Sequence, residues 1–198
     1  MVRIKREERD QVLGQTRQRL LDAAAVEFAR DGYQGANINT ISLNAGYAKG
    51  TIYNYFPSKH DLLRALIDDI AQLHLDFIKE KVGDETNPTC RLELFFQAGF
   101  DFIPRYLPQA RVMFNTIYGP SEELKVYSYQ VYQPMFQFLA EILSRGVEQG
   151  VFRPMEPVAM AMLLMTIYLG TASNLDPQGR PWLAAAQVVD LTLNGLLK

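Results

Sequence analysis

The sequence contains very few of the residues from which disulfides and metal sites are built. Its 198 residues include one cysteine, Cys90, and two histidines, His60 and His74. One cysteine cannot form an internal disulfide, and these three residues are too far apart along the chain for the usual spacing of metal ligands. No serine, histidine and acid set stands out either. We therefore expect no metal, no cofactor and no enzymatic activity.

An excess of charge of one sign is also missing from the chain as a whole. Twenty Lys and Arg residues face 22 Asp and Glu residues, which gives a net charge of −2. The charges are nevertheless divided unevenly. Residues 1–60 carry nine basic and six acidic residues, a net of +3, and residues 61–198 carry eleven and sixteen, a net of −5. We expect the two parts to meet different partners.

Long hydrophobic runs are scarce. The uncharged stretch 157–175 has an apolar centre, residues 158–169, of about twelve residues, which is shorter than a helix needs to cross a bilayer. The first ten residues, MVRIKREERD, place charges where a signal peptide would need an apolar segment. The sequence therefore predicts no membrane span and a cytoplasmic location.

Apolar residues recur every three to four positions along most of the chain, which predicts an all-α protein of about nine helices. The first helix is expected at 16–30, ending at Asp31-Gly32, and a long helix at 59–82, opening with the capping pair Ser58 and Asp61. Two very short helices lie between them, at 40–44 and about 49–56. Five more are expected at about 88–106, 108–118, 121–149 with a kink at Pro134, 155–173 and 180–197. The interpretation is an N-terminal three-helix domain over 1–60 and a C-terminal domain over 61–198, linked by the long helix.

Two short helices joined by a tight glycine turn are typical of a helix-turn-helix, here at about residues 39–56. Residues 36–63, ANINTISLNAGYAKGTIYNYFPSKHDLL, resemble the TetR family of bacterial transcriptional regulators, and the likeness covers about residues 14–70. The matching positions are Ile41, Ala45-Gly46, Ala48-Lys49, Gly50-Thr51, Ile52-Tyr53, Phe56, Ser58-Lys59 and Leu62-Leu63. Ala48, at the expected N-cap of the second short helix, departs from the family, which usually has Ser or Thr there, and Leu43 stands where a polar residue is common. The resemblance implies a homodimeric repressor on a pseudo-palindromic DNA operator, released when its C-terminal domain binds a small molecule.

The same residues suit a DNA surface on chemical grounds. Helix starts and hydroxyl groups bind phosphates, and amide, methyl and basic groups contact base edges in the major groove. The candidate DNA-binding residues are Thr40, Tyr47, Lys49, Gly50, Thr51, Tyr53, Asn54, Tyr55 and Lys59. Gly50 is expected to let the second helix approach the DNA closely. An N-terminal arm with Arg3, Lys5, Arg6 and Arg9 is a further candidate for the minor groove, although interleaved acidic residues weaken it.

Aromatic residues crowd the segment from Phe95 to Phe138, and prolines interrupt its helices, which favours a ligand cavity between helices. The candidate pocket residues are Phe96, Phe100, Tyr106, Phe114, Tyr118, Tyr132 and Phe136. The effector would then be a small hydrophobic or aromatic molecule. The alternative is that these rings only fill a core, because aromatic residues at helical spacing usually do so.

The last two helices have apolar faces that would suit pairing across a twofold axis, as the resemblance implies. The candidate dimer residues are Met162, Met165, Leu169, Trp182, Val189 and Leu193. These faces also suit an ordinary core. A different class of function stays open as well: a helical ligand-binding protein whose helix-turn-helix contacts other proteins and not DNA.

Overall fold

The computed structural model describes residues 6–196, without the side chains of residues 6, 7, 9, 195 and 196. Over these residues the chain forms nine α-helices and one short 3-10 helix. The α-helices are α1 (Arg6–Gly35), α2 (Ile38–Asn44), α3 (Lys59–Val82), α4 (Pro88–Arg105), α5 (Leu107–Ile117), α6 (Glu122–Val131), α7 (Gln133–Glu148), α8 (Pro157–Ala172) and α9 (Ala185–Leu196), and the 3-10 helix is Thr51–Asn54. The prediction of an all-α fold is confirmed.

The N-terminal part is a small bundle of α1, α2, the 3-10 helix and the first turns of α3. Its core consists of fully buried apolar side chains, among them Leu20, Leu21, Ile41, Ile52 and Leu62. Neither α2 nor the 3-10 helix is long enough to be stable alone in water, so their packing against α1 and α3 holds them in place. The orientation of the short helices is thus set by a rigid frame.

Gly32 interrupts α1 where the sequence predicts its end. Its φ of 67° is a conformation that other residues rarely adopt, and the chain makes one more turn to Gly35 before α2. The start of α1 was placed too late, because the helix already includes Arg6. The amino end of α1 is exposed at Val12 and Leu13, so the apolar periodicity used for the prediction covers only its buried part.

Helix α3 connects the two parts of the molecule and begins at the predicted residue. The Ser58 hydroxyl oxygen accepts a hydrogen bond from the Asp61 amide at 3.1 Å and donates to the Asp61 carboxylate at 2.7 Å. With 24 residues, α3 is about 36 Å long. It packs on α1, on α5 and α6, and most extensively on α4.

Two predicted helices of the C-terminal part were wrong in their bounds. The stretch 121–149 is two helices, α6 and α7, that meet at Tyr132, because Pro134 in the first turn of α7 cannot donate a hydrogen bond to the preceding turn. The last helix begins at Ala185 and not near Pro181. Residues before it form a tight turn in which the Asp176 carboxylate accepts from the Gln178 and Arg180 amides at 2.9 Å.

Helix α4 is central to the C-terminal part, where it contacts α3, α5, α7, α8 and α9. Its start is the predicted one: the Asn87 side chain caps the Thr89 and Cys90 amides, and Pro88 is the first residue of the helix. The buried side of α4 is lined by the rings of Phe95, Phe96 and Phe102. None of the helices in the described part of the chain is long and apolar enough to cross a membrane.

Candidate DNA-binding surface and effector cavity

The connection between α2 and the 3-10 helix is built from two turns that need glycine. Gly46 and Gly50 have φ values of 85° and 89°. The Thr51 amide donates to the Ala48 carbonyl at 3.1 Å, so residues 48–51 form a type II turn with Gly50 at its third position. The buried Ser42 hydroxyl donates to the same Ala48 carbonyl at 2.7 Å. These bonds fix where the second helix starts.

This geometry corrects two expectations about the second helix. It is a 3-10 helix that starts at Thr51, not an α-helix from Lys49 to Phe56, and the residue at its N-cap is Gly50, not Ala48. Gly50 is therefore required for the backbone conformation of the turn, whatever its distance from DNA. Ala48 is exposed and contributes its carbonyl oxygen to the turn.

Four of the candidate DNA contacts lie on the outer side of this short helix and its turn. Lys49 and Asn54 are exposed, Tyr53 is 51% exposed, and Thr51 is half-buried. Together they present an ammonium, an amide and two hydroxyl groups within six consecutive residues. An amide can bind adenine, a methyl group can contact thymine, and ammonium and hydroxyl groups can bind phosphates. The surface has the chemistry that major-groove recognition requires.

Other candidates have partners inside the protein. The Tyr47 hydroxyl donates to the Thr16 hydroxyl oxygen on α1 at 3.2 Å, and Tyr55 is half-buried against the core. The amides of Asn39 and Thr40 both point at the Asn37 side chain, which caps α2 at 2.9 and 3.4 Å. Tyr47 therefore holds the turn against α1. The Thr40 amide is already bonded to the Asn37 cap, so Thr40 can bind a phosphate only through its hydroxyl group.

Lys59 stands at the start of α3 and is tied to the end of α1. Its ammonium donates to the Gln34 carbonyl at 3.0 Å and lies 5.0 Å from the centre of the Tyr33 ring. The residues Arg3 and Lys5 of the proposed N-terminal arm, and the side chains of Arg6 and Arg9, lie outside the described part of the structure.

A buried carboxylate that the sequence pattern does not predict is Glu27, which is 2% exposed. It accepts hydrogen bonds from the Arg30 guanidinium at 2.7 Å and from the Asn37 amide at 3.3 Å. Because Asn37 is the cap of α2, Glu27 connects the middle of α1 to the start of the helix-turn-helix. Arg30 stands three positions after Glu27, which is the spacing of an ordinary ion pair on a helix surface, so the sequence gives no sign that this carboxylate is buried.

The chain as a whole is similar to known regulators. Residues 20–66 match the model of bacterial regulatory proteins of the tetR family. Over 163 residues the chain is 29% identical to the HTH-type transcriptional repressor KstR2 of Mycobacterium tuberculosis, covering 73% of this chain and 74% of that protein. The match to the tetR family covers residues 20–66, and over most of its length the chain is similar to a transcriptional repressor.

Two solved structures of regulators share the fold of this protein. The transcriptional regulator FadR of Bacillus subtilis, solved in complex with stearoyl-CoA, superposes with a TM-score of 0.74 at 21% identity, over 90% of this chain and 98% of that one. AibR, solved in complex with isovaleryl coenzyme A and operator DNA, gives a TM-score of 0.71 at 22% identity, over 92% and 98%. The family match of residues 20–66 and the likeness to a transcriptional repressor over 73% of the chain support a DNA-binding transcription regulator.

The candidate pocket residues do not line one common cavity. Phe96 and Phe100 are buried and pack against the Tyr168 ring at 6.2 and 5.5 Å between ring centres, and Tyr106 packs on Phe102 at 4.9 Å. Tyr132 is buried, and Phe136 is 8% exposed and borders a surface groove with α8. Phe114 and Tyr118 line a different cavity, between α1 and α5. Five of the seven therefore lie in the packed interior or at other grooves.

That cavity has a volume of about 490 Å³ and lies between the two parts of the molecule. Its walls come from the end of α1, the first turns of α3, α5 and the α5–α6 loop. The residues that line it are Phe28, Asp31, Gly32, Tyr33, Gln34, Leu63, Val112, Phe114, Asn115, Thr116, Tyr118, Gly119, Pro120, Ser121 and Leu124. A ligand here would touch both the DNA-binding bundle and the C-terminal helices.

A buried polar cluster lies deeper in the C-terminal part. The Tyr168 hydroxyl donates to the Gly99 carbonyl at 2.8 Å and lies 3.1 Å from His74 Nε2. Since the tyrosine has one proton and uses it on Gly99, His74 donates from Nε2 to the tyrosine oxygen. Burial lowers the pKa of His74 to about 3, so the ring is neutral. His74 thus holds α3 against α4 and α8 without a charge.

The candidate dimer residues are divided between the interior and the surface. Met165, Leu169 and Leu193 are at most 8% exposed and face the protomer core, so they are not available to a partner. Val189 is half-buried. Met162 and Trp182 are 52% and 71% exposed, and Trp182 lies in the loop before α9 and not on the helix. Other exposed apolar residues of α8, α9 and this loop are Val158, Leu163, Leu183 and Leu191.

Proposed function

We propose that this chain is a dimeric repressor that binds an inverted-repeat operator and leaves it when a small hydrophobic or aromatic molecule binds. The observation that carries the proposal is the exposed set Lys49, Tyr53 and Asn54, with half-buried Thr51 among them, on a short helix and its turn held by α1 and α3. Phosphate contacts position such a helix, and base contacts give it sequence preference. The net charge of +3 over residues 1–60 supports contact with a polyanion.

Dimer formation is supported by the apolar side chains left exposed on α8, α9 and their connection. Large apolar residues grouped on one side of a protein mark interaction sites, and twofold dimers are the commonest assembly. The proposed interface uses Met162 and Trp182 together with Val158, Leu163 and Leu191. One DNA-binding bundle per protomer would then occupy half-sites about 34–36 Å apart, which is one turn of the DNA helix.

The proposed domain division follows the same logic: residues 1–60 bind DNA, and residues 61–198 form the dimer and take the effector. Regulators of similar fold were solved with acyl coenzyme A thioesters, which supports an effector with an apolar group. We place the protein in the cytoplasm, where operators are, and assign it no catalytic activity, since its relatives are transcription regulators.

The test is selection of bound sequences from a random double-stranded DNA pool at about 150 mM salt, where weak electrostatic binding is largely screened. An inverted repeat in the recovered pool supports the proposal. The opposite outcome is a folded protein that binds ligands but recovers no DNA sequence above background. That result would favour the alternative of a ligand-binding protein whose helix-turn-helix contacts other proteins.

The variant Asn54→Ala sharpens this test. Loss of a base contact is expected to relax the preference at one position of each half-site and to weaken binding by about 1–3 kcal/mol there. Asn115→Ala, which removes an exposed asparagine from α5, is the matched control and should recover the wild-type repeat. Identical repeats from Asn54→Ala and wild type would contradict the assignment of Asn54.

A further inference from the structure

The cavity between α1 and α5 has the size and the walls of a small-molecule site. Its volume of about 490 Å³ falls within the usual range for such sites, about 300–1,000 Å³. Four of its 15 lining residues are aromatic, namely Phe28, Tyr33, Phe114 and Tyr118. Aromatic rings prefer offset or edge-to-face contact with other rings, which favours a ring-bearing occupant.

The charge of the lining argues for an uncharged occupant. Of the 15 lining residues, all in the described part of the chain, Asp31 is the charged one, and none is Lys, Arg or His. Both Asp31 oxygens accept hydrogen bonds from Arg30, at 3.0 and 2.7 Å. The Arg30 guanidinium holds the pKa of the Asp31 carboxyl below its usual value. The lining residues therefore offer no positive charge to a carboxylate or a phosphate of a ligand.

The cavity wall is connected to a candidate DNA contact. Tyr33 and Gln34 both line the cavity, and both hold Lys59: its ammonium lies 5.0 Å from the centre of the Tyr33 ring and donates to the Gln34 carbonyl at 3.0 Å. These two residues follow the break at Gly32 and precede Asn37, the cap of α2. A displacement of Tyr33 therefore changes the position of Lys59 and of the connection to α2.

We propose that this interface cavity binds an uncharged, ring-bearing apolar effector, and that its occupant weakens DNA binding by displacing Tyr33 and with it Lys59. That the effector binds here is inferred from the cavity alone. That it weakens DNA binding rests in addition on the proposed function. An effector bound here acts directly on the DNA-binding bundle, because its site is made partly of α1. Any ligand bound inside the C-terminal helices would have to act through α3.

The first experiment tests the cavity without DNA. The probe is N-phenyl-1-naphthylamine, an uncharged aromatic dye whose fluorescence rises in apolar sites. We expect saturable binding to the wild type. Asn115→Trp places a large side chain into the cavity from an exposed position of α5, so the fold is retained and the dissociation constant should rise at least tenfold.

The matched control is Gln130→Trp, at an exposed position of α6 that does not line the cavity, and it should bind the dye as the wild type does. Dissociation constants come from the midpoint of each titration, so that a change in brightness caused by the added tryptophan has no effect. Circular dichroism checks the fold. Equal affinity of wild type and Asn115→Trp, or no binding to either, overturns the proposed site.

The second experiment tests the coupling on the selected operator. Saturating dye is expected to weaken operator binding of the wild type at least tenfold. Lys59→Gln should bind the operator more weakly, keep its affinity for the dye and show a smaller effect of dye on DNA binding. Lys49→Gln removes the same charge at an exposed position away from the cavity, so it should weaken DNA binding and keep the full effect of the dye.

The two proposals fail in distinguishable ways. A protein that binds the dye at the cavity but selects no DNA sequence would refute the repressor function and leave the site. A protein that selects an operator but shows the same affinity for it with and without saturating dye would refute the coupling. If the dye weakens operator binding equally in Lys59→Gln and Lys49→Gln, Lys59 does not transmit the effect of the dye to DNA binding.

Discussion

At the scale of single residues, the neutral, buried His74 makes stability depend on pH. Its pKa is lowered to about 3 in the folded protein, whereas in the unfolded chain it is about 6.5. Between these values the unfolded chain binds one more proton, so the free energy of unfolding should fall by about 1.4 kcal/mol per pH unit as the pH drops below 6.5. Urea denaturation between pH 7.5 and 5 measures this slope.

The variant His74→Phe identifies the source of the slope, because it keeps a ring in the core and removes the titrating group. Its slope should be shallower than that of the wild type by about 1.4 kcal/mol per pH unit. Tyr168→Phe removes the hydroxyl that His74 contacts and keeps the histidine, so its stability should fall at every pH with the wild-type slope. Equal slopes for His74→Phe and wild type would contradict the assignment.

Glu27 shows how one buried acid can organise a surface that it does not reach. Glu27→Ala leaves the Asn37 amide without its acceptor and removes one of the two carboxylates that bind Arg30, which should lower the free energy of unfolding by about 1–3 kcal/mol. DNA affinity should fall as well, since α2 loses its tie to α1. Asp22→Ala, at an exposed position of the same helix, is the control and should change both quantities little. A stable Glu27→Ala with wild-type DNA affinity would be evidence against this role.

At the scale of elements, the turn before the 3-10 helix depends on one backbone conformation. Gly50 has a φ of 89°, and a Cβ there meets no atom within 4 Å, so the cost of Gly50→Ala is conformational and not steric. We expect a loss of about 1–3 kcal/mol in stability, or a displaced helix with weaker DNA binding. Gly14→Ala, at an equally open position in α1 that has no positive φ, should be neutral or stabilising. Thermal unfolding compares the two.

The elements that the sequence predicts well are those whose signals are local. Ser58 with Asp61 and Asn87 with Pro88 mark the starts of α3 and α4, because a cap involves residues two or three positions apart. The start of α9 was missed because the turn around Asp176 and the pairing of Leu175 with Pro181 override the apolar spacing of the segment. The 3-10 form of the second short helix depends on the buried bond from Ser42 to the Ala48 carbonyl, which spacing does not reveal.

The candidate site was predictable to the same extent. Lys49, Tyr53 and Asn54 follow from the motif, since their exposure is a property of one short helix. The partners of Tyr47 and Lys59 lie on α1, 31 and 25 residues away in sequence, so their internal bonds depend on tertiary packing. The aromatic segment of the C-terminal part predicts a large apolar core, but the rings that face a cavity are set by how α5 meets α1.

At the scale of the whole molecule, the uneven charge distribution predicts how DNA binding responds to salt. Each phosphate neutralised by the protein lowers the slope of log affinity against log salt by about 0.9. A dimer with about four phosphate contacts per protomer should therefore show a slope near −7. Residues 61–198, with their net charge of −5, are assigned no phosphate contact and should have little effect on the slope.

Lys59→Gln tests this estimate on one contact per protomer. Because the dimer loses two phosphate contacts, the slope should become shallower by about 1.8, and affinity should fall alike on the operator and on unrelated DNA. Asn54→Ala should leave the slope near −7, since a base contact releases no counterion. It should lower the affinity for the operator more than the affinity for unrelated DNA. Titrations of both variants between about 50 and 200 mM salt separate the two roles. A slope for Lys59→Gln equal to that of the wild type would mean that its ammonium stays on Tyr33 and Gln34 when DNA is bound.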